Sequence, residues 1–402
     1  MNKRLYIGSF IEKSREKEVW KNSKSGIVFS GDMFQKSLLH GFIHYPHFLD
    51  YIINAPAIGS FPLRYKKIFL SSSNFQFENI EGKNCGFMNL TYIKNHSIYK
   101  SIKGKAFKWA KKNINNQKTI IVYSLIEPYL KAAIDVKVKY PDTHICCIVL
   151  DLPEYFDDNQ FFIRKMIMKR MNDNIYNLIP LIDSFILLTE HMAEALNIQG
   201  KPRIVLEGLY LPTTRVPQKK EKKTILYTGK LDSRFGIKEM IESFISIPDK
   251  EYRLWICGDG SDRKMVENAA KQDNRIKFFG LVRQEVAFTM QAQATLLINP
   301  RKGDEPYTKY SFPSKTMEYM ASGTPTVMYP LPGIPMEYYK HLIIIPNNTK
   351  ETLKEILIEW CSKKQEELDQ FGEEAKQFIL NNKTAIIQSG KVVKFLNSLS
   401  NE

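Results

Sequence analysis

Cysteine is scarce and badly placed for a structural role. The five in 402 residues, Cys85, Cys146, Cys147, Cys257 and Cys361, are odd in number and scattered, and no CxxC occurs. That excludes a disulfide framework and a zinc ribbon and fits a reducing compartment. Cys146, Cys147 and Cys257 sit in apolar runs, where cysteine acts as a small buried hydrophobe. Long apolar runs are missing too. No window holds about 18 uninterrupted apolar residues, so no transmembrane helix is expected; the nearest, Ile175 to Leu188, contains Asn177, Pro180 and Asp183. The opening MNKRLYIGSFIEKSREKE has too short an apolar stretch for a signal peptide and reads as a first strand. Glycine (20) and proline (19) are too few and too dispersed for a collagenous or low-complexity chain, and no short-period repeat is present. The seven histidines show no metal spacing: Pro46 interrupts the helix face that His40, His44 and His47 would share. No metal site is expected.

What is present is an ordinary globular composition, 43% hydrophobic and 25% charged, with a net charge of +15. Residues 1–210 carry 29 basic and 19 acidic side chains, so most of the excess lies in the first half. A basic half points to an anionic partner: nucleic acid, anionic lipid or a phosphorylated substrate. Aromatic–basic interleaving and any nucleic-acid-binding module are absent, which argues against nucleic acid.

At roughly 150 residues per domain the length allows two or three domains. Short β-rich runs recur: Arg4–Ile7, Ile27–Phe29, Lys67–Leu70, Thr119–Tyr123, Ile145–Leu150, Phe185–Leu188 and Ile204–Leu206, then Ile225–Tyr227, Arg253–Cys257, Ile276–Phe278, Leu296–Ile298, Thr326–Tyr329 and Leu342–Ile345. Many are apolar on both faces, the pattern of parallel strands covered on both sides. Helical periodicity fills the gaps, as in Ile237, Ile241, Phe244 and Ile245. The alternation predicts an α/β architecture. The segment LPTTRVPQKKEKK, with two prolines and a charge run, reads as a linker. It divides the chain into domain 1–210, linker 211–223 and domain 224–365, followed by C-terminal helices over 366–402 that can pack back on the first domain. Ligands of open α/β sheets bind beyond the carboxyl ends of the strands, so the loops that follow strands are where chemistry is expected.

Four such loops stand out in the second half. In YSFPSKTMEYMASG (Tyr310–Gly323), Ser311 suits a helix cap, Pro313 a first helical position and Gly323 a left-handed stop. The helix predicted over Pro313–Ser322 would aim free N–H groups at a phosphate. Ser314 and Glu318 share a face four residues apart, and a carboxylate there can accept hydrogen bonds from a ribose diol. A solvated surface helix is the plain alternative. In YTGKLDSRFG (Tyr227–Gly236), Gly229 permits close backbone approach, and Lys230 with Arg234 can neutralise a departing diphosphate; an ordinary basic loop is the alternative. CGDGSDR with Gly258 reads as a tight turn. FFGLV places Leu281 and Val282 at a strand end.

In this order and spacing the four elements resemble the donor-binding domain of the retaining glycosyltransferases of family four. The resemblance covers about residues 224–345, and FPSK-x-x-EYMASG is most similar to bacterial enzymes of capsule, exopolysaccharide or O-antigen synthesis. It implies a GT-B fold, two Rossmann-like domains facing each other across a cleft. It implies a donor site of Gly31, Gly229, Gly258, Leu281, Val282, Tyr310, Ser311, Phe312, Pro313, Ser314, Lys315 and Glu318, with Lys230, Arg234, Glu318 and Asp151 carrying the chemistry. Lys230 stands for the family's diphosphate-binding arginine. Arg234 lies one place before its usual lysine. Glu318 matches the second glutamate of E-x(7)-E, which holds the ribose. Two departures stand beside these matches. The first glutamate falls at Tyr310, with Glu305 a candidate substitute in the same loop, and the family's histidine after a strand falls at Asp151. The Gly31 loop in SGDMFQKSLLHGF is similar to the family's glycine loop near the donor phosphates.

The implied reaction is transfer of a sugar, with retention, from a nucleotide-diphosphate sugar to a hydroxyl of a lipid-linked glycan acceptor. No cofactor is expected, the nucleotide sugar being a co-substrate. Asp157-Asp158 is not the D-x-D that holds a metal–nucleotide in the other glycosyltransferase fold. The stretches Ile98–Ile114 and Phe161–Met171 combine an apolar stripe with lysine and arginine, a pattern suited to an anionic membrane surface. The expectation is a cytoplasmic protein on the inner face of the membrane; solvated faces over an ordinary core are the plain alternative. Two rival functions remain at this point: a same-fold isomerase or phosphorylase, and a catalytically silent, glycosyltransferase-like binding subunit.

Overall fold

A computed structural model describes residues 2–24, 29–155, 162–213 and 218–400, and the strand counts below refer to these. The chain divides into two compact units, one of residues 1–209 with 385–402 and one of residues 210–384.

In unit 1, β1 (Lys3–Gly8) begins the sheet, followed by α1 (Glu16–Asn22) and α2 (Phe29–Phe42). Strands β2 (Tyr51–Asn54), β3 (Phe69–Leu70), β4 (Ser73–Phe77), β5 (Ile80–Asn84) and β6 (Phe87–Met88) precede α3 (Lys94–Lys112). Then β7 (Lys118–Tyr123), α4 (Glu127–Lys139), β8 (Thr143–Val149), α5 (Phe162–Leu178), β9 (Ser184–Leu187), α6 (His191–Ala195) and β10 (Arg203–Val205) alternate. The eight-stranded sheet has the order β10-β9-β8-β7-β1-β2-β5-β4. Every pairing in it is parallel except β4 with β5. β7 is buried along its whole length, because Ile120 to Val122 have helices over both faces. β3 and β6 form a separate antiparallel pair.

In unit 2, β11 (Thr224–Thr228), α7 (Ile237–Ile245), β12 (Arg253–Cys257), α8 (Arg263–Gln272), β13 (Ile276–Gly280), α9 (Gln284–Gln293), β14 (Leu296–Asn299), α10 (Ser314–Met320), β15 (Thr326–Met328) and β16 (Ile343–Ile344) alternate. The sheet order is β13-β12-β11-β14-β15-β16, all parallel. Counted within the unit this is 3-2-1-4-5-6, the dinucleotide-binding order, with its switch point between the first and fourth strands. Its core gathers Ile225, Leu254, Ile256, Leu296 and Ile298 under Ile237, Ile241, Phe244 and Leu353. Helices α11 (Lys350–Cys361) and α12 (Gln365–Asn382) complete the unit.

The last helix, α13 (Ala385–Ser398), belongs to unit 1. A Cβ on Gly41 of α2 would lie 2.0 Å from Ser389 Oγ, so α2 and α13 touch nearly backbone to backbone. Ser389 Oγ donates to Leu38 O at 3.2 Å. The C-terminal helices expected over 366–402 therefore part company, α12 staying with unit 2. The stretch read as a linker is tied down at its end: Lys220 Nζ donates to Thr324 Oγ1 at 2.7 Å and Glu221 N to Gln293 O at 2.7 Å.

Two expectations are corrected. Ile27–Phe29 was a strand on its β-rich run; Ile27 and Val28 lie outside the described residues, and Phe29 opens α2. The stripe of α3, Ile98, Ile102, Ala106 and Trp109, is buried inside unit 1, so its apolar face is spent on the core, while Lys100, Lys108, Lys111 and Lys112 are exposed. His44 and His47 lie past the end of α2, with His47 at φ 59°, so the three histidines share no helix face. Of Phe161–Met171, Phe161 lies outside the described residues, as do Asp157-Asp158 and part of the linker stretch.

Candidate functional site

The switch point of the unit 2 sheet is flanked by the loops that leave β11 and β14. Tyr319 of α10 fixes the first. Its Oη accepts from Thr228 N at 2.8 Å and donates to Thr228 O at 2.9 Å. This bracket holds the end of β11 where Gly229 and Lys230 begin. Past the strand ends the backbones stay edge to edge: Gly229 N donates to Cys257 O at 3.0 Å and Gly258 N to Gly280 O at 2.8 Å. Gly258 has φ 150°, and a Cβ there would stand 1.8 Å from the Gly229 carbonyl oxygen, so glycine is required by the close approach and not by a turn alone.

Lys230 and Arg234 both reach Asp232. Arg234 Nε lies 2.9 Å from Asp232 Oδ1 and Lys230 Nζ 3.5 Å from Oδ2. The hydrogen bond from the Arg234 side chain, above all, brings the Asp232 carboxyl down to about 2. The two cations remain half open to water at 60% and 43% exposure, so a diphosphate can reach both. Asp232 itself was missed in the sequence; the signal was an acid midway between two bases in KLDSR.

Glu318 lies on α10 with a largely shielded carboxylate, 19% exposed. Its Oε1 accepts from Gln291 Nε2 at 2.7 Å and from Lys315 Nζ at 2.9 Å. Gln291 is fully buried in α9 and also donates to Thr228 Oγ1 at 3.3 Å. It too was missed; the signal was a glutamine on the buried face of α9 beside Ala287 and Met290.

The helix after Pro313 differs from expectation. It runs Ser314–Met320, with Pro313 as N-cap and no side-chain cap, because Pro313 takes ψ 99° and only then does the chain turn helical. Ser311 does not cap it; its Oγ accepts from Arg301 Nη2 at 2.8 Å. Gly323 does adopt the left-handed conformation, φ 76°. Phe312 is buried against Tyr338, ring centroids 5.3 Å apart, so only its backbone remains for a ligand. Tyr310 is half-buried under Lys309, Glu305 is exposed one residue before a short 3-10 turn, and Ser314 is exposed. Leu281 is 74% exposed beyond β13, while Val282 packs against the cluster of Leu226, Cys257 and Tyr319.

Residues 214–378 match the family model described as glycosyl transferases group 1. Over those residues the chain is similar to the group 1 glycosyltransferases. No curated protein matches the sequence. Among solved structures, sucrose-phosphate synthase from Thermosynechococcus elongatus is 12% identical, with 99% of both chains covered and a TM-score of 0.64. Anabaena HepE in complex with UDP is 13% identical, with 98% of this chain and 100% of that one covered and a TM-score of 0.62. The lipopolysaccharide outer core galactosyltransferase WaaB is 14% identical, with 99% of both covered and a TM-score of 0.62. The fold is GT-B, built from two Rossmann-like units.

In unit 1 the corresponding switch point lies between β1 and β7. Gly31 sits in the first turn of α2, and a Cβ on it would come 2.6 Å from Tyr123 Oη. Tyr123 Oη donates to Gly31 O at 3.3 Å. Gln35 is buried one turn on and accepts from Ser9 N at 2.8 Å, anchoring α2 to the end of β1. Asp151 follows β8 on the surface, and surrounding protein desolvates its carboxyl and raises it above the usual carboxylate range.

Proposed function

We propose that the protein is a retaining glycosyltransferase that moves a sugar from a nucleotide-diphosphate sugar to a hydroxyl of a lipid-linked glycan acceptor in surface polysaccharide synthesis. The observation that carries the reading is Glu318, shielded and held by Gln291, within the matched domain and at the carboxyl side of a 3-2-1-4-5-6 sheet. Such a carboxylate suits a ribose diol. Lys230 and Arg234 take the diphosphate, and backbone around Gly229, Gly258, Leu281, Val282 and Tyr310–Pro313 lines the donor, with Ser314 and Lys315 at its phosphate end. The bond from sugar carbon to phosphate oxygen breaks, a bond from the acceptor oxygen forms on the same face, and the departing phosphate takes the acceptor proton. Fixed cations at the leaving group stabilise the charge that develops there without a metal or cofactor, each commonly worth about 3–4 kcal/mol. Asp151 is assigned to binding sugar hydroxyls, the acceptor proton going to the phosphate.

The membrane part of the reading is electrostatic and peripheral. No helix among the described residues is long and apolar enough to cross a membrane. Unit 1 exposes Leu63, Phe69, Tyr92 and Ile93 around the β3–β6 pair, and α3 presents lysines outward, a combination that suits an anionic headgroup layer.

Glu318→Ala and Lys230→Ala are the test. Sugar transfer measured with purified chain, nucleotide sugar and acceptor extract is expected to fall about a hundredfold for each, as for loss of a preorganised charge. Near-parental rates in both, with unchanged melting temperature, refute the site. Product formed from nucleotide sugar alone would instead favour an isomerase, and no turnover with any donor a binding subunit.

A further inference from the structure

Arg301 is the unusual residue of unit 2. It follows β14 at the switch point, is only 7% exposed, and has no carboxylate within ion-pair distance among the described residues. Two aromatic rings are its near neighbours: the Tyr307 ring lies 4.6 Å and the Phe235 ring 5.7 Å from its central carbon. An aromatic neighbour attracts a guanidinium but supplies no anionic oxygen to its bidentate edge. On its bidentate edge Nη2 donates to Ser311 Oγ at 2.8 Å, and Nε, buried, has no hydrogen-bond partner among the described residues. A neutral hydroxyl and an empty donor now occupy the bidentate edge that in folded proteins normally meets an oxyanion. Burial lowers the Arg301 pKa, the neighbouring Tyr307 works against that shift through its charge and a side-chain hydrogen bond, and the nearby positive charge of Arg234 adds to the lowering.

Two neighbouring cations, only one of which has a carboxylate, call for a doubly charged guest. We propose that Arg301 is a binding residue for the donor's diphosphate, its Nε–Nη2 edge gripping one phosphoryl group while Arg234 and Lys230 serve the other. Ser311 is then the placeholder that occupies Nη2 until the diphosphate arrives. This rests on the donor reading above and adds to it a cation that the motif resemblance does not contain.

The test is thermal-shift and calorimetric titration of the full chain with UDP, ADP, GDP and inorganic pyrophosphate, for the parent, Arg301→Met and Arg301→Lys. The parent is expected to bind at least one nucleoside diphosphate. Arg301→Met is expected to weaken that binding at least tenfold while keeping the unliganded melting temperature at or above the parent's, because a buried charge without a counter-ion has been removed. Arg301→Lys, which keeps the charge and loses the fork, is expected to fall between the two. If Arg301→Met fails to fold, Arg301→Lys decides: weaker diphosphate binding supports the role, and parental affinity overturns it. An Arg301→Met chain that melts earlier yet binds with parental affinity also overturns it, since the arginine is then a packing element between Tyr307 and Phe235. A parent that binds none of the four probes removes the donor reading itself and this inference with it, whereas parental binding untouched by the substitutions removes this inference alone.

Discussion

Gln291 Nε2 lies 2.7 Å from Glu318 Oε1, a buried amide on α9 reaching across to a shielded carboxylate on α10. The amide cannot change charge, so it orients Glu318 without competing for a proton. Gln291→Leu removes the donor and leaves Glu318 held by Lys315 at the half-exposed edge. The expected result is a donor KM raised about tenfold, or ~1.4 kcal/mol, with kcat changed much less, because the ribose is held equally in ground and transition states. Steady-state kinetics at varied donor concentration check this. An equal loss in kcat and unchanged KM would show that Glu318 acts at the reacting centre.

The glycine stack at the strand ends makes a stability prediction. A Cβ on Gly258 meets backbone, the Gly229 oxygen at 1.8 Å, and backbone cannot swing aside. A Cβ on Gly229 meets the Tyr227 hydroxyl at 2.6 Å, the movable tip of a side chain. Gly258→Ala is therefore expected to cost more than about 3 kcal/mol and Gly229→Ala about 1–2 kcal/mol. Chemical denaturation of both variants gives the order, and the reverse order would contradict the close approach.

Much of this was legible in the sequence, for physical reasons. Strands of the parallel sheets announced themselves because runs such as Ile120 to Val122 must be apolar on both faces, and the loops of the site announced themselves because Gly258 and Gly323 take backbone conformations that favour glycine. What was illegible is of two kinds. Strands β4 (Ser73–Phe77) and β5 (Ile80–Asn84) form one edge of the sheet, where polar and exposed positions dilute the pattern. The other kind is partnership. Nothing in the spacing says that Ser311 meets Arg301 instead of capping a helix, that Asp232 joins Lys230 to Arg234, or that the apolar stripe of α3 faces the interior. Each depends on which side chain a distant loop delivers.

Asp232 predicts a pH dependence. Its folded carboxyl titrates at about 2, below the unfolded value of about 3.9. A depressed folded pKa contributes stability that is fully present above the unfolded value and is lost as pH falls through the folded one. The difference in unfolding free energy between parent and Asp232→Asn is expected to be constant above about pH 4 and to shrink steadily toward pH 2. Screening at the half-exposed Arg234 keeps it under about 1 kcal/mol. Urea titrations of the two chains between those limits measure it. A difference that widens on acidification would mean that Asp232 is not held as an anion by its two bases.

The lysines of α3 separate a membrane role from mere solubility. Because Ile98, Ile102, Ala106 and Trp109 are buried, the helix cannot sink its own apolar face into lipid, and any attraction it gives must be charge alone. Near an anionic surface each lysine contributes about 1 kcal/mol, falling off within a Debye length. Replacing Lys100, Lys108, Lys111 and Lys112 by glutamine is expected to abolish sedimentation with phosphatidylglycerol-rich vesicles at low salt, while the parent sediments at low salt and is released by ~0.5 M NaCl, where screening shortens the reach of the charges to a few ångströms. Leu63→Ser with Tyr92→Ser tests the other contributor. If those apolar side chains enter the headgroup layer, the double variant loses the part of vesicle binding that survives salt. Parental binding in both sets would place the membrane contact elsewhere. Absence of vesicle binding in the parent would mean that the positive excess of unit 1 serves solubility or a soluble anionic acceptor.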